Sequence, residues 1–310
     1  MKKILTVSIL LIMSITFCVA ARTTLVNALQ LLQQKNFVPA LDICNGLLAE
    51  SANDPSVLGV RSQIYTAMGK YDQAKQDADR ALSLDKTSDR AHYAKAEVLY
   101  YGQKDYSQAL QQYDAAIRSN VQMHEAYAGK ARALMGLQNY KDAIKVIEDA
   151  LHTFQNDPEL YYVHGLLNFQ RGKPMLAVED YNKVLSLNAD WNTCQVFLNR
   201  GLANDALQKP DRAIQDFTKA ILADPNNDGA YIARGNMLYN IAKYQEAAED
   251  FKKAEVLSPD NPVIIYNIGM AYYRDNDKTS ACKYFQKSCS LGNNNACKMI
   301  VLNCSDRKIN

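Results

Sequence analysis

Four of the chain's seven cysteines fall within residues 281–304, ACKYFQKSCSLGNNNACKMIVLNC. Thiols at that density can hold zinc, cycle between dithiol and disulfide, or staple the backbone. Cys282 and Cys289 are seven residues apart, and so are Cys297 and Cys304. On a helix, seven residues return a side chain to nearly the same face but about 10 Å further along. The sulfurs of one tetrahedral zinc lie roughly 4 Å apart, given Zn–S bonds of about 2.3 Å. A single four-cysteine zinc site is therefore incompatible with two helices, and no metal is expected here. An antiparallel hairpin turning at GNNN and centred on residue 293 sets Cys289 opposite Cys297 and Cys282 opposite Cys304. Helices about 9 Å apart leave some 4.5 Å between facing Cα atoms, close to the roughly 4.4–6.8 Å of a disulfide. Ala281, Ser288 and Ala296 are small enough to permit that approach. The expectation is two bridges, Cys289–Cys297 and Cys282–Cys304, with a redox-active pair as the rival reading. Cys44 and Cys194, distant from each other and from the cluster, are expected to be buried thiols.

Little else suggests chemistry. The histidines are His92, His124, His152 and His164, and no two have metal-ligand spacing on one helix face. His164, just before Gly165, reads as core-facing and packed, while His92 and His124 read as solvated. The adjacent acids Glu148–Asp149 and Glu249–Asp250 share helices with lysines and read as solvated faces. No phosphate-cradling glycine loop or nucleophile motif occurs. The expectation is a non-enzymatic chain with no cofactor, an envelope enzyme or cell-wall hydrolase being the alternative.

The N-terminal residues have the form of a secretory leader, with Lys2 and Lys3, then the apolar ILTVSILLIMSITF, then small residues at Val19, Ala20 and Ala21. The apolar run is short for a membrane span, so residues 1–21 are expected to be a signal peptide and no membrane span is expected. Cys18 raises a rival, since bacterial lipoproteins are cut just before a lipid-bearing cysteine. Phe17 stands where such signals favour a small residue. Without Lys2 and Lys3, 33 basic residues balance 33 acidic ones, so the basic excess that a phosphate backbone attracts is missing and nucleic acid is not an expected partner. Export would place the chain in an oxidising compartment, where paired cysteines form disulfides.

The elements that position these residues follow from a repeat. Alanines recur at 40, 74, 109, 143, 177, 213, 247 and 281, at intervals of 34 to 36. Gly165, Gly201, Gly235 and Gly269 precede four of these alanines by twelve residues, and Tyr181, Phe217, Phe251 and Phe285 follow the same four by four residues. Small residues at fixed points allow helices to cross closely, and large ones fill the space between. The clearest copy, AYIARGNMLYNIAKYQEAAEDFKKAEVLSPDN at 230–261, predicts helices over 229–241 and 244–257. Pro39, Pro174 and Pro210 open second helices, and Pro55, Pro158 and Pro225 mark repeat junctions. No strand alternation appears.

This pattern resembles the tetratricopeptide repeat family, a helix-turn-helix unit of about 34 residues. The resemblance covers residues 22–293 as about eight units starting near 21, 55, 90, 124, 158, 194, 228 and 262, with 294–310 as a capping helix and polar tail. The family's tryptophan position holds Tyr93, Tyr127, Tyr161, Phe197 and Tyr231 here, and the one tryptophan, Trp191, lies in a lengthened junction. The resemblance implies an all-α, right-handed superhelical solenoid of antiparallel helix pairs whose first helices line a partner-binding groove. Carried over position by position, the groove would comprise Val98 and Tyr101 (beside Ala94), Tyr162, Leu166 and Phe169, Leu198 and Leu202, Ile232, Asn236 and Tyr239, and Tyr266, Met270 and Tyr273. The position at which some members place a carboxylate-gripping lysine holds Leu25, Gly59, Ala94, Ala128, Tyr162, Leu198, Ile232 and Tyr266, which argues against that mode. The same aromatic spacing also suits packing between neighbouring first helices. KSCSLGNNNAC further resembles cysteine-rich Sel1-like repeats, which implies a staple. A solenoid's last unit needs a stable, polar cap. The expected function is an exported scaffold, periplasmic or in a bacterial cell envelope, that binds a protein or peptide. A lipid-anchored component of an outer-membrane assembly is the alternative.

Overall fold

The computed structural model describes residues 24–188 and 190–304. The expected leader, with Cys18, and the tail beyond Cys304 lie outside them. Among the described residues there are seventeen α-helices and no strand.

The chain divides into two compact units at Gln155–Asn156. The first holds α1 (24–33), α2 (Phe37–Glu50), α3 (Pro55–Ala67), α4 (Tyr71–Leu84), α5 (Asp89–Glu97), α6 (Tyr106–Ser119), α7 (His124–Gly136) and α8 (Tyr140–Thr153). The second holds α9 (Pro158–Gln170), α10 (Pro174–Leu187), α11 (Thr193–Ala206), α12 (Pro210–Ala223), α13 (Asp228–Asn240), α14 (Tyr244–Leu257), α15 (Pro262–Arg274), α16 (Lys278–Ser290) and α17 (Asn294–Asn303). In the second unit each helix packs on the next in sequence, α9 on α10 through α16 on α17, and the first helices α9, α11 and α13 touch in turn.

Local chemistry sets the helix starts. Asp54, Asp157, Asn227, Asn261 and Asn293 accept hydrogen bonds from backbone N–H groups of the first turn, which would otherwise lack partners. Pro55, Pro158, Pro174, Pro210 and Pro262 begin helices, where the N–H they lack is not needed. The turn inside each repeat is equally regular. Lys35, Gly69, Lys104, Gln138, Gly172, Gln208, Ala242 and Asn276 all have φ between 54° and 73°. The next residue then donates back into the finished helix, as Lys209 N does to Asn204 O (2.9 Å) and Lys243 N to Leu238 O (2.9 Å).

The alanines that gave the period, Ala40 to Ala281, are completely buried. In the second unit each repeat's glycine lies under the ring of its second helix. A Cβ added at Gly201 would sit 2.5 Å from Phe217, and one at Gly165, Gly235 or Gly269 would sit 2.7 Å from Tyr181, Phe251 or Phe285. Burying each ring stabilises the unit by about 1.5–3 kcal/mol.

Two irregular intervals are absorbed differently. The extra residue between Ala74 and Ala109 goes into a π-helical turn, Val98–Gln103, which continues α5. The two extra residues between Ala177 and Ala213 lengthen the α10–α11 connection, where Trp191 packs edge-on against Tyr162 at 5.4 Å between centroids. The outer side of the last hairpin is not uniformly polar, because Val301 and Leu302 on α17 are exposed.

Candidate partner-binding surface

The expected groove residues fall into three groups. Val98 is corrected outright, because it is 1% exposed and presents no surface to a partner. The extra π-turn residue rotates this part of the third repeat, and Tyr101 emerges instead, 43% exposed and packed edge-on against Tyr100. In the second unit Tyr162, Phe169, Leu198, Leu202, Ile232, Tyr239, Tyr266, Met270 and Tyr273 are half-buried and pack against the core between helices. Several are also tied by their polar tips. Asn199 donates to the Tyr162 hydroxyl (2.8 Å), Arg274 donates to that of Tyr239 (3.3 Å), and the Tyr273 hydroxyl donates to Asn303 Oδ1 (3.0 Å). Burial pushes the Tyr266 phenol above its ordinary range, with Tyr239 nearby adding to the shift. Leu166 is half-buried and Asn236 exposed, and these two offer the least committed side chains on α9 and α13.

A second constellation runs through the same helices and was not anticipated. Arg200 Nε and Nη2 donate to Asp216 (3.0 and 2.5 Å), while Arg234 Nε and Nη2 donate to Asp250 (2.8 and 2.7 Å). Arg61 holds Asp77 in the same way (2.7 and 2.8 Å), and His164 Nδ1 lies 2.9 Å from Asp180 Oδ1. Every pair spans sixteen residues, from the first helix of a repeat to its second. The arginines also reach back to the preceding second helix, Arg200 to Asn182 (2.6 Å) and Arg234 to Thr218 (3.1 Å). Asp250 is therefore buried and bridged, which corrects the reading of Glu249–Asp250 as a solvated pair; Glu148 and Asp149 are exposed as expected. The signal was present in the sequence. HG, RG and RG at 164, 200 and 234 are each followed sixteen residues later by DY, DF and DF.

Other expectations are also adjusted. His92 is hydrogen-bonded rather than merely solvated, with Nδ1 2.8 Å from Gln112 Oε1 and Nε2 2.9 Å from Lys86 O. His164 is core-facing, but its partner is a carboxylate. Cys44 is fully buried, and that burial pushes its thiol up to about 12. Cys194 is only half-buried.

In the terminal hairpin, disulfides join Cys289 to Cys297 and Cys282 to Cys304, with Cα atoms 4.9 and 5.6 Å apart. Ser288 donates to Pro262 O (2.6 Å), and Asn293 donates to the same carbonyl (3.2 Å), which ties the turn to the start of α15. Among the described residues no group of three or more His, Cys, Asp or Glu side chains could hold a metal ion, and no helix is long and apolar enough to cross a membrane.

Comparison with known proteins bears on the same helices. Tetratricopeptide repeat models match residues 61–120, 100–167, 195–227 and 263–295, and a TPR repeat model matches 235–276. Together they reach about two thirds of the chain. DnaJ homolog subfamily C member 7 of Homo sapiens is 27% identical over 189 residues, 60% of this chain and 34% of that protein. The Hsp70-Hsp90 organizing protein of Triticum aestivum is 23% identical over 227 residues, 69% of this chain and 37% of that protein. The chain thus spans about a third of the length of these relatives. Among solved structures, the APC/C hetero-tetramer Cut9-Hcn1 aligns with a TM-score of 0.70 at 18% identity, covering 79% of this chain and 48% of that one. A tetratricopeptide repeat protein from Parabacteroides merdae aligns with a TM-score of 0.56 at 19% identity, covering 81% of this chain and 98% of that one. At such identities the structural likeness establishes the fold, an all-α array of antiparallel helix pairs. Repeat period, helix pairing and family matches agree, and the chain belongs to the tetratricopeptide repeat family.

Proposed function

We propose that this chain is an exported, non-enzymatic scaffold that binds a protein or peptide along the first helices of its second unit. The observation that carries the reading is the half-buried stripe on α9, α11, α13 and α15, where apolar and aromatic side chains recur in four successive repeats without being sealed from solvent. Grouped apolar exposure marks interaction surfaces. The names of the relatives support the same class, since an organizing protein works on other proteins. Two disulfides in the terminal hairpin support export, because such bridges persist in oxidising compartments.

The surface is tested with a photo-crosslinking residue at Asn236 in the native envelope, alone and combined with Leu166→Glu. One dominant protein adduct, lost in the Leu166→Glu background while the thermal melt is unchanged, is the expected outcome. Adducts indistinguishable from those at Lys253 on α14 would sink the reading. Mass spectrometry of the mature N terminus tests export, where a start at Ala21 or Arg22 is expected. A lipid-modified Cys18 would favour the anchored assembly component, and an intact leader would remove export.

A further inference from the structure

The last helix of the second unit is held differently from the first helices that precede it. α9 and α15 each bury five residues and α11 and α13 four, whereas α17 buries Ala296 alone. No second helix follows α17 among the described residues, and Val301 and Leu302 on its outer side are 64% and 73% exposed. At ten residues it is also short, since isolated helices under about 12–15 residues are marginal in water. Burial therefore contributes little to keeping it in place.

Covalent bonds take over that role at both ends. Cys289–Cys297 ties the first turn of α17 to α16, and Cys282–Cys304 ties its C-terminal end. The first turn has further support, because its cap Asn293 donates to Pro262 O (3.2 Å). What α17 covers is part of the stripe. Met299, Ile300 and Cys304 close one apolar cluster with Phe285, Tyr266, Met270 and Tyr273, and Asn303 Oδ1 accepts from the Tyr273 hydroxyl (3.0 Å). Tyr266, Met270 and Tyr273 are the eighth repeat's share of the surface described above.

We propose that α17 is a redox latch over the end of the partner-binding stripe, docked while its bridges are closed and released when a dithiol reduces them. Cys282–Cys304 governs the release, because the turn end keeps its hydrogen bond to Pro262 O. The chemistry is thiol–disulfide exchange. One thiolate of the reductant attacks a bridge sulfur and expels the other cysteine as thiolate. The reductant's second thiolate then attacks the mixed disulfide, closing its own disulfide and expelling the remaining cysteine. Two electrons pass to each bridge, and two protons end on the cysteine sulfurs. A reducing compartment holds the latch open and an oxidising one closes it. The proposal rests on the scaffold reading and adds control of access to its last repeat.

Hydrogen exchange on the full chain, before and after dithiothreitol, reads the latch directly. Amides of 299–303 should exchange about 100-fold faster after reduction, the factor that loss of one such constraint implies. Those of α9 to α14 should keep their rates. The Cys282→Ala/Cys304→Ala variant needs no reductant and should show the same faster exchange. Hydroxyl radicals should also oxidise its Met270 and Phe285 several-fold faster than in the parent chain, with Tyr101 unchanged as the reference. Cys289→Ala/Cys297→Ala should stay near the parent chain in both readouts. Unchanged exchange at 299–303 after complete reduction would overturn the latch. So would exchange rising together from α9 to α16, since the bridges would then belong to the whole fold. Release in the Cys289/Cys297 variant alone would overturn the choice of governing bridge. None of these readouts needs a partner. Crosslinks lost at Asn236 with the latch working sink the scaffold reading alone, and the reverse sinks the latch alone.

Discussion

The sixth and seventh repeats, α11–α12 and α13–α14, share an architecture and differ in what they leave unfinished. Both place an arginine before a glycine on the first helix and an aspartate before a phenylalanine on the second, and both close the pair with two hydrogen bonds. In the seventh repeat Leu238 completes the packing and acids fill the rim. In the sixth, Asn204 adds a bond to the carboxylate but strands its own oxygen, and the rim is cationic. The seventh repeat completes its ion pair with apolar contact, whereas the sixth adds a further hydrogen bond to the same carboxylate and leaves one buried amide oxygen unmatched.

The comparison is broken most forcefully by removing the aspartates. Asp216→Ala and Asp250→Ala each leave a mostly buried guanidinium unpaired, a loss of about 3–5 kcal/mol. Asp216→Ala also strands the Asn204 amide, so its urea midpoint should fall further than that of Asp250→Ala. Equal shifts would show that Asn204 contributes nothing to the buried pair.

The turns of the same two repeats offer a smaller test. Gln208 and Ala242 hold φ of 56° and 61°, a conformation that costs a residue with a Cβ about 1–2 kcal/mol. Glycine removes that strain but loses about 0.5–1 kcal/mol through the freedom of the unfolded chain. Gln208→Gly and Ala242→Gly should therefore each raise stability by about 0.5–1 kcal/mol, read as a higher melting temperature. A fall in both would mean that their side chains hold contacts outweighing the strain.

How far the sequence foretold these features depends on how directly each residue type reports its surroundings. The helix pairs were legible because a buried alanine or a glycine beneath a ring tolerates little substitution in kind, so Ala213, Gly201 and Phe217 recur in phase with their counterparts. The left-handed turn was hidden, since only Gly69 and Gly172 of its eight positions carry the expected residue. Val98 was misplaced because an extra residue announces itself in the interval between alanines, while its resolution as a π-turn rather than a longer loop depends on packing. Asp250 was misread because a buried, bridged aspartate and a solvated one look alike until the arginine sixteen residues earlier is placed beside it. The hairpin cysteines were the opposite case, for their spacing alone defined which could face each other.

Asn204→Leu sharpens the comparison with the smallest expected effect. It installs the seventh repeat's solution in the sixth. The variant loses the amide bond to Asp216, a hydrogen bond to a charged group that contributes about 1.5–3 kcal/mol. It also removes an unpartnered buried acceptor, whose burden is about 1–3 kcal/mol, and adds apolar contact with the surrounding helices. These changes nearly cancel, so stability should move by less than about 1 kcal/mol in either direction. Stability lost in full would make Asn204 a structural residue first. Stability kept would show that the sixth repeat's extra hydrogen bond to Asp216 and its unmatched amide oxygen offset each other, so that the two repeats reach the same stability by different side chains.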